Sequence, residues 1–204
     1  IIGYADMLRS GNLPEDMRFK AASYIFSEGK RLENLSLALM SLLVVGHSAA
    51  DARPVNMRRL CQEAGRICQP AMRAKGLTLS VRAEEGFLRG DAALLQTLLQ
   101  NLLDNARKAA DSGQVVLSGK STEGGYRVTV ADQGRGIPEG ELNKITEPFY
   151  MVDKSRSRAE GGAGLGLALC KKIAALHGGE LRFESREGRG TTVTVELGGV
   201  ADAQ

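Results

Sequence analysis

The first part of the chain carries the apolar spacing of two helices joined by a short break. Apolar positions between Ile1 and Leu8 lie on one face of a first helix, and Gly11 and Pro14 interrupt the pattern. In the second helix, apolar residues recur with heptad spacing at Ile25, Leu32, Leu35, Leu39 and Leu42. A heptad seam needs a partner helix. We therefore predict a helical hairpin over 1–50 that pairs with a second copy in a four-helix bundle; packing of the seam on the rest of the chain is the alternative.

Residues 54–199 combine helical and strand periodicity. A linker at 46–54 precedes helices predicted at 55–74, 91–110 and 165–176. Alternation of apolar and polar residues predicts five strands, which begin near positions 77, 115, 126, 180 and 191. Helices mixed with a sheet in this way predict an α+β domain, a two-layer α/β sandwich.

Composition narrows the class of protein. Of the 204 residues, 43% are hydrophobic and 25% are charged, which excludes a disordered or fibrous chain. The net charge of +3 is too small to indicate a nucleic-acid partner. The longest apolar stretch, at 35–45, is shorter than the ~20 residues of a membrane-spanning helix. Cys61 and Cys68 would lie ~10 Å apart along one helix, too far for a disulfide, so the three cysteines predict reduced thiols and a cytoplasmic location.

The helix predicted at 91–110 is apolar on most of its surface but carries one polar stripe. Asn101, Asn105 and Lys108, spaced four and three residues apart, share a face of this helix. Amide oxygens suit a hard cation such as Mg²⁺, and a lysine ammonium suits a phosphate. The stripe therefore indicates a site for a metal and a phosphate, unless it faces ordinary solvent.

The strand that begins near 126 ends in Asp132, which two glycines follow in a turn. A carboxylate at this strand end can accept a hydrogen bond from an exocyclic amine such as that of adenine. Gly134 and Gly136 would let a flat base approach the backbone, and Ile137 would add apolar contact. An Asp-x-Gly-x-Gly segment taken alone is more often a simple turn.

A basic segment followed by glycines precedes the last predicted helix. Lys154, Arg156 and Arg158 stand before four glycines between 161 and 166. Backbone amides at a helix N-terminus attract anions, and a basic loop beside them can close on phosphates. A solvated, exposed loop is the alternative explanation of these charges. Further along, GRGTT at 188–192 starts a strand, where a plain hairpin turn and a binding role are equally compatible with the residues.

Four segments follow one another along the chain: NLLDNARKAA, DQGRGIP, EPFYMVDKSRSR with GGAGLGL, and GRGTT. Together they resemble the ATP-binding domain of sensor histidine kinases, within the wider family of gyrase, Hsp90 and MutL ATPases. The resemblance covers about 55–197 and implies the Bergerat-type ATP-binding fold. The helical hairpin resembles the dimerisation and phosphotransfer domain of the same kinases, from partway down its first helix.

The resemblance implies a bound MgATP and gives each motif residue a role. Asn105 would be the magnesium ligand, with Asn101 near the phosphates and Lys108 in contact with one of them. Asp132 would bind the adenine amino group, and Thr192 would reach the base through water. The residues that would shape the base pocket are Gly134, Gly136 and Ile137. The residues that would border the triphosphate or anchor the lid loop over it are Phe149, Gly162, Gly164, Leu165 and Gly166.

Two departures from the family pattern carry consequences. The family usually has an arginine where this chain has Met151, so we expect Arg156 or Arg158 to stabilise phosphoryl charge in its place. The family's phosphoacceptor histidine stands on the first hairpin helix, whereas the two histidines here, His47 and His177, lie outside that context. Because the chain opens inside a predicted helix, we expect the acceptor just upstream, in a longer parent protein.

The resemblance therefore predicts the catalytic fragment of a two-component sensor histidine kinase. It would transfer the γ-phosphoryl group of MgATP to a histidine, for relay to an aspartate in the receiver domain of a response regulator. It would act as a homodimer in the cytoplasm, in a parent protein that a membrane segment elsewhere could anchor. Two other functions stay open. One is a non-catalytic nucleotide-sensing dimerisation module, which Met151 and the missing acceptor favour; the other is an ATPase in which Asp104, next to Asn105, activates water.

Overall fold

The computed structural model describes residues 1–11, 13–44, 52–153 and 164–198. Its first two helices, α1 (Ile2–Arg9) and α2 (Glu15–Val44), form the predicted hairpin. The ring centroids of Tyr4 on α1 and Tyr24 on α2 lie 4.6 Å apart, so the two helices pack side by side.

The hairpin leaves much apolar surface open. Among its described side chains Ala21 is buried, whereas Phe19 is 76% and Phe26 is 74% exposed. Of the predicted seam, Ile25 is half-buried and Leu32 is exposed, and the other seam side chains lie outside the described part. Helix α2 also approaches the last described helix, Gly166–Leu176. Dimerisation through the hairpin therefore stays a prediction, as does packing of its seam on the rest of the chain.

The described residues after the hairpin form three further helices and seven strands. The helices are α3 (Met57–Ala74), α4 (Ala92–Ala109) and α5 (Gly166–Leu176), with a short 3-10 turn at Glu139–Glu141. The strands are β1 (Arg53–Asn56), β2 (Leu77–Ala83), β3 (Phe87–Gly90), β4 (Gly113–Thr122), β5 (Gly125–Asp132), β6 (Glu180–Arg186) and β7 (Gly190–Leu197). The five-stranded sheet has the order β2-β4-β5-β7-β6, with β2 and β4 parallel and the other neighbours antiparallel.

Helices α3, α4 and α5 cover one face of this sheet. In the central strands, alternate residues point towards the helices and are buried, among them Val115, Leu117, Val128 and Val130. The residues between them, such as Arg127, lie on the opposite and more exposed face. The arrangement is the predicted two-layer α/β sandwich.

The start of the sandwich differs from the prediction. The sequence predicts a linker at 46–54 and a helix at 55–74, with no strand between them. In the structure, Arg53–Asn56 forms β1 and pairs antiparallel with β3. Helix α3 begins only at Met57, because the Asn56 side-chain oxygen accepts a hydrogen bond from the backbone N–H of Arg59 at 2.9 Å. It then continues past Pro70 to Ala74.

The cysteines agree with the predicted reduced state. All three are free thiols, and Cys61 and Cys170 are fully buried in the core. Burial raises the pKa of the Cys61 thiol to about 12 and also raises the pKa of Cys170. Within the described ranges, no helix has both the length and the apolarity to cross a bilayer.

Candidate functional site

Helix α4 positions the two asparagines of the polar stripe against the start of α5. Its apolar faces are buried in the core through Leu95, Leu98, Leu99, Leu102, Leu103 and Ala106. A Cβ atom placed on Gly166, the first residue of α5, would lie 2.9 Å from Asn101 Oδ1 and 3.8 Å from Asn105 Nδ2. The Asn101 amide nitrogen donates to the carbonyl of Thr97 at 2.9 Å, which leaves its oxygen facing Gly166. The sequence-predicted residues Asn101, Asn105 and Gly166 are therefore neighbours in space.

The contact between α4 and α5 contains two unsatisfied polar features. Asn105 Nδ2 is buried and has no hydrogen-bond partner among the described residues. Helix α5 begins after Leu165 without a side-chain cap, so its first backbone N–H groups are open to an acceptor. A buried amide without a partner is costly, and an uncapped helix start attracts anions. The amide of Asn105 can rotate to present its oxygen, so the donor set fits a phosphate together with a hard cation.

Lys108, the third residue of the stripe, is engaged by an acidic neighbour. Its Nζ lies 2.7 Å from Asp104 Oδ2, while Arg107 Nε and Nη2 lie 2.9 Å and 2.7 Å from Asp104 Oδ1. Burial opposes ionisation of Asp104, but the positive charges of Lys108 and Arg107 outweigh it and lower the pKa of this carboxyl. Lys108 thus lies on the predicted face, with its ammonium paired inside the protein.

Asp132 stands at the end of β5 in a turn that folds back on its own carboxylate. The backbone N–H of Gly134 donates to Asp132 Oδ1 at 2.8 Å. Burial raises the pKa of Asp132, and the backbone N–H groups of Gly134 and Thr191 and the charge of Arg135 offset this only in part. A desolvated carboxylate at a strand end is suited to accept hydrogen bonds from a neutral amine donor.

The glycines of this turn are required by the protein's own backbone. A Cβ atom on Gly134 would lie 2.5 Å from the carbonyl oxygen of Ala109, at the end of α4. Gly136 has a φ of +70°, and a Cβ there would lie 2.1 Å from the carbonyl oxygen of Arg186. Both glycines therefore let the turn pack closely between α4 and β6, whatever they do for a ligand.

The strand register places Thr191 opposite Asp132. In the β5–β7 pair, Asp132 faces Thr191, whereas Thr192 faces Ala131. Because side chains alternate along a strand, Thr191 shares the face of Asp132 and Thr192 points to the other side. Thr191 is buried, and its hydroxyl lies 2.8 Å from the Ser185 hydroxyl. The contact of Thr192 with a base stays a prediction, and Thr191 is the threonine that the register brings to the carboxylate.

Ile137 lies on the β6 side of the turn. Its backbone N–H donates to the Ser185 hydroxyl at 2.8 Å. Its side chain lines a groove of about 430 Å³ together with Leu142 and Phe183. Ile137 therefore shares an apolar part of the surface with these two residues, and its contact with a base stays a prediction.

Two described residues that flank the predicted lid segment, Phe149 and Gly164, lie against each other. The backbone N–H of Phe149 donates to the carbonyl of Gly164 at 2.8 Å, and a Cβ on Gly164 would lie 2.7 Å from the Phe149 carbonyl carbon. Phe149 has a positive φ of 65° and is 56% exposed. The Tyr150 hydroxyl donates to the Glu141 carboxylate. Phe149 and Gly164 are therefore held together next to the buried Leu165, and a lid between them stays a prediction.

Part of the predicted site lies outside the described residues. This holds for Gly162, and for Lys154, Arg156 and Arg158, so the arginine that replaces the family's usual one stays a prediction. Met151 is described and half-buried.

His177 is a structural residue. It is 1% exposed, its Nε2 accepts a hydrogen bond from the backbone N–H of Asp91 at 3.1 Å, and Nδ1 lies 2.8 Å from the carbonyl oxygen of Ile173. Because Nε2 accepts, Nδ1 carries the proton and donates to Ile173. His177 therefore joins the end of α5 to the start of α4, and its ring is closed to a phosphoryl donor. His47 lies outside the described residues.

The arrangement matches a known family. A sequence model of the histidine kinase-, DNA gyrase B- and HSP90-like ATPases matches residues 90–199. The chain belongs to this family. The sensor-like histidine kinase SenX3 of Mycolicibacterium smegmatis is 32% identical over 195 residues, which make up 94% of this chain and 50% of that protein. The sensor protein DivL of Caulobacter vibrioides is 32% identical over 202 residues, 97% of this chain and 26% of that protein.

Solved structures of histidine kinases share the fold. Full-length ShkA in complex with AMPPNP superposes with a TM-score of 0.75 at 25% identity, over 94% of this chain and 41% of that one. The nucleotide-free catalytic domain of the histidine kinase ThkA superposes with a TM-score of 0.65 at 26% identity, over 74% of this chain and 97% of that one. The predicted resemblance to sensor histidine kinases is confirmed. The chain spans half or less of the length of SenX3 and DivL.

Proposed function

We propose that this chain binds MgATP between α4 and the start of α5 and is the catalytic ATP-binding part of a sensor histidine kinase. In the parent protein it would transfer the γ-phosphoryl group to a histidine, for relay to an aspartate of a response regulator's receiver domain. The observation that carries the proposal is the buried, unpartnered amide of Asn105 beside the uncapped N-terminus of α5. A family member that binds AMPPNP, full-length ShkA, supports the choice of ligand.

Each end of the nucleotide would have its own group of residues. The phosphates would bind the backbone N–H groups at Leu165 and Gly166, next to Asn101, and Asn105 would hold Mg²⁺. Magnesium, when bound, neutralises phosphate charge and orients the triphosphate. The adenine amino group would donate to Asp132, the carboxylate that the turn after β5 already holds in place.

Transfer of a phosphoryl group needs positive charge near its oxygens and little covalent chemistry from the protein. Met151 cannot supply that charge, so Lys108 and the basic lid residue Arg156 would supply it. We expect Arg156→Ala to lower the rate of phosphoryl transfer much more than the affinity for nucleotide, with Arg158→Ala as the matched control. Equal and small effects of Arg156→Ala on both quantities would refute this assignment.

The geometry weighs against one of the two alternative functions. An ATPase would need a carboxylate that takes a proton from the attacking water. Asp104 pairs with Lys108 through one oxygen and with Arg107 through the other, and these positive charges lower the pKa of its carboxyl, which makes it a weaker base. The nucleotide-sensing module keeps one supporting observation, since Met151 stands where the family usually has an arginine.

The experiment that separates kinase from sensor supplies the acceptor in trans. The full chain is incubated with γ-labelled ATP, Mg²⁺ and a histidine-bearing hairpin from a sensor histidine kinase, with Asn105→Ala as the inactive control. Label on the hairpin histidine, lost in the control, supports the kinase. Nucleotide binding without label supports the sensing module, and steady phosphate release without label supports the ATPase.

A further inference from the structure

The last two turns of α4 contain a compact cluster of charges, the Asp104 cluster, made of Asp104, Arg107 and Lys108. Lys108 occupies one carboxylate oxygen of Asp104 at 2.7 Å, and Arg107 occupies the other through two nitrogens at 2.7 and 2.9 Å. Both cationic side chains are mostly buried, with 23% of the Lys108 side chain and 25% of the Arg107 side chain exposed. Each cation is therefore held close to the carboxylate.

The two cations lie on different sides of the helix. Lys108 follows Asn101 by seven residues, which returns it to the same face, next to Asn105. Arg107 precedes it by one residue and is turned by about 100° around the helix axis, away from the stripe. Lys108 is thus the positively charged residue of the polar stripe, and its ammonium group is paired with the Asp104 carboxylate.

Exchange of Lys108 from Asp104 to a phosphate is physically accessible. When Lys108 leaves, Asp104 still keeps Arg107 on its other oxygen, and 42% of its side chain is exposed to water. No isolated buried charge results, which is the condition that makes the loss of an ion pair expensive. The energy of the broken pair is nevertheless subtracted from the energy of the new contact.

We propose that Asp104 is a positioning residue that competes with the phosphates of the nucleotide for Lys108 and so lowers the affinity of the site. The inference rests on the proposed function, because it requires nucleotide phosphates near the stripe. It assigns Asp104 a role through Lys108 and no contact with the reacting atoms.

The test measures binding of Mg-AMPPNP by calorimetry to the full chain. We expect Asp104→Asn to bind about threefold more tightly, within the range that half-exposed ion pairs contribute. Asp104→Glu keeps the charge and should bind within about twofold of the unmodified chain. In a Lys108→Met background, Asp104→Asn should no longer tighten binding. Asp111→Asn, which removes the same charge just beyond the end of α4, is the matched control and should leave binding unchanged.

A second readout separates competition from a structural role. Asp104→Asn removes two ion pairs, so its thermal unfolding temperature should fall while its affinity for nucleotide rises. A purely structural residue would lower both quantities. Unchanged or weaker binding in Asp104→Asn, equal tightening in the Lys108→Met background, or equal tightening in Asp111→Asn would each overturn the inference and leave the proposed function standing. Absence of any Mg-AMPPNP binding by the unmodified chain would overturn the proposed function, and the inference with it.

Discussion

Replacement of His177 by alanine should lower the free energy of unfolding by about 4 kcal/mol. The imidazole ring is 1% exposed and accepts a hydrogen bond from the backbone N–H of Asp91, the residue that caps α4. It also contacts the backbone of Gly90, where a Cβ atom would lie 2.5 Å from the ring carbon Cδ2. One side chain therefore holds the end of α5, the end of β3 and the start of α4 together.

The magnitude follows from two losses. Alanine leaves the Asp91 N–H without its acceptor, which costs about 1–3 kcal/mol when the group is shielded from water. Removal of a fully buried ring also leaves a cavity, which costs about 2 kcal/mol or more. The second hydrogen bond, to the Ile173 carbonyl at 2.8 Å, adds a smaller amount because that carbonyl lies within α5.

Two conservative variants separate these losses. In His177→Gln, the side-chain oxygen can reach the position of Nε2 and accept from Asp91, whereas in His177→Asn the shorter side chain can replace only Nδ1. Urea unfolding followed by circular dichroism should therefore rank the chains as unmodified, Gln, Asn and Ala, from most to least stable. A loss below about 1 kcal/mol in the alanine variant, or a glutamine variant no more stable than alanine, would refute the account.

Three further predictions concern other positions. Gly136 and Gly188 have similar positive φ values, but a Cβ on Gly136 would lie 2.1 Å from a backbone oxygen, whereas a Cβ on Gly188, at a φ of +75°, would meet open space. Gly136→Ala should therefore destabilise the chain by at least about 2 kcal/mol more than Gly188→Ala. Equal losses in urea unfolding would show that the backbone contact is unimportant. Gln96→Leu should raise the free energy of unfolding by about 1 kcal/mol, because both amide atoms of Gln96 are buried without a partner among the described residues. Gln100→Leu is the control on the same helix, and a gain of the same size there would contradict that reason. Burial raises the pKa of Asp132, so this group stabilises the fold below its ordinary pKa, and that contribution is lost as the pH rises through the raised pKa. Asp132→Asn should therefore retain or gain thermal stability at neutral pH while binding adenine nucleotide at least about tenfold more weakly. A large loss of stability at neutral pH would contradict the stated pH dependence.

Elements with a strong periodicity of their own were predictable from the sequence. The five strands of the sheet begin within two residues of the positions that the alternation indicates, and α4 differs from its predicted range by one residue at each end. The ribbon of β1 and β3 was not predictable in this way. Each of its strands has four residues, and β1 contains Pro54. What defines the ribbon is the pairing of Val55 with Leu88, a contact between segments far apart in the sequence.

The helical face shared by Asn101 and Asn105 was predictable from the sequence, but the contacts around the candidate site were not. The spacing of Asn101 and Asn105 places them on one face without reference to the rest of the fold. By contrast, the choice of Thr191 over Thr192 opposite Asp132 depends on the register of β5 and β7, and a shift of one residue reverses it. The pairing of Lys108 with Asp104 depends on side-chain conformation, which helical spacing permits but does not require.

Calorimetry can test whether Asn105 and the start of α5 bind a magnesium–nucleotide complex. AMPPNP is titrated into the full chain and into Asn105→Ala, each with and without Mg²⁺. We expect the unmodified chain to bind AMPPNP only with Mg²⁺, and the variant to lose this binding. The variant should unfold at nearly the same temperature, because Asn105 Nδ2 has no described partner to lose. Binding of equal strength with and without Mg²⁺, or binding that persists in Asn105→Ala, would show that this site does not hold the magnesium–nucleotide complex.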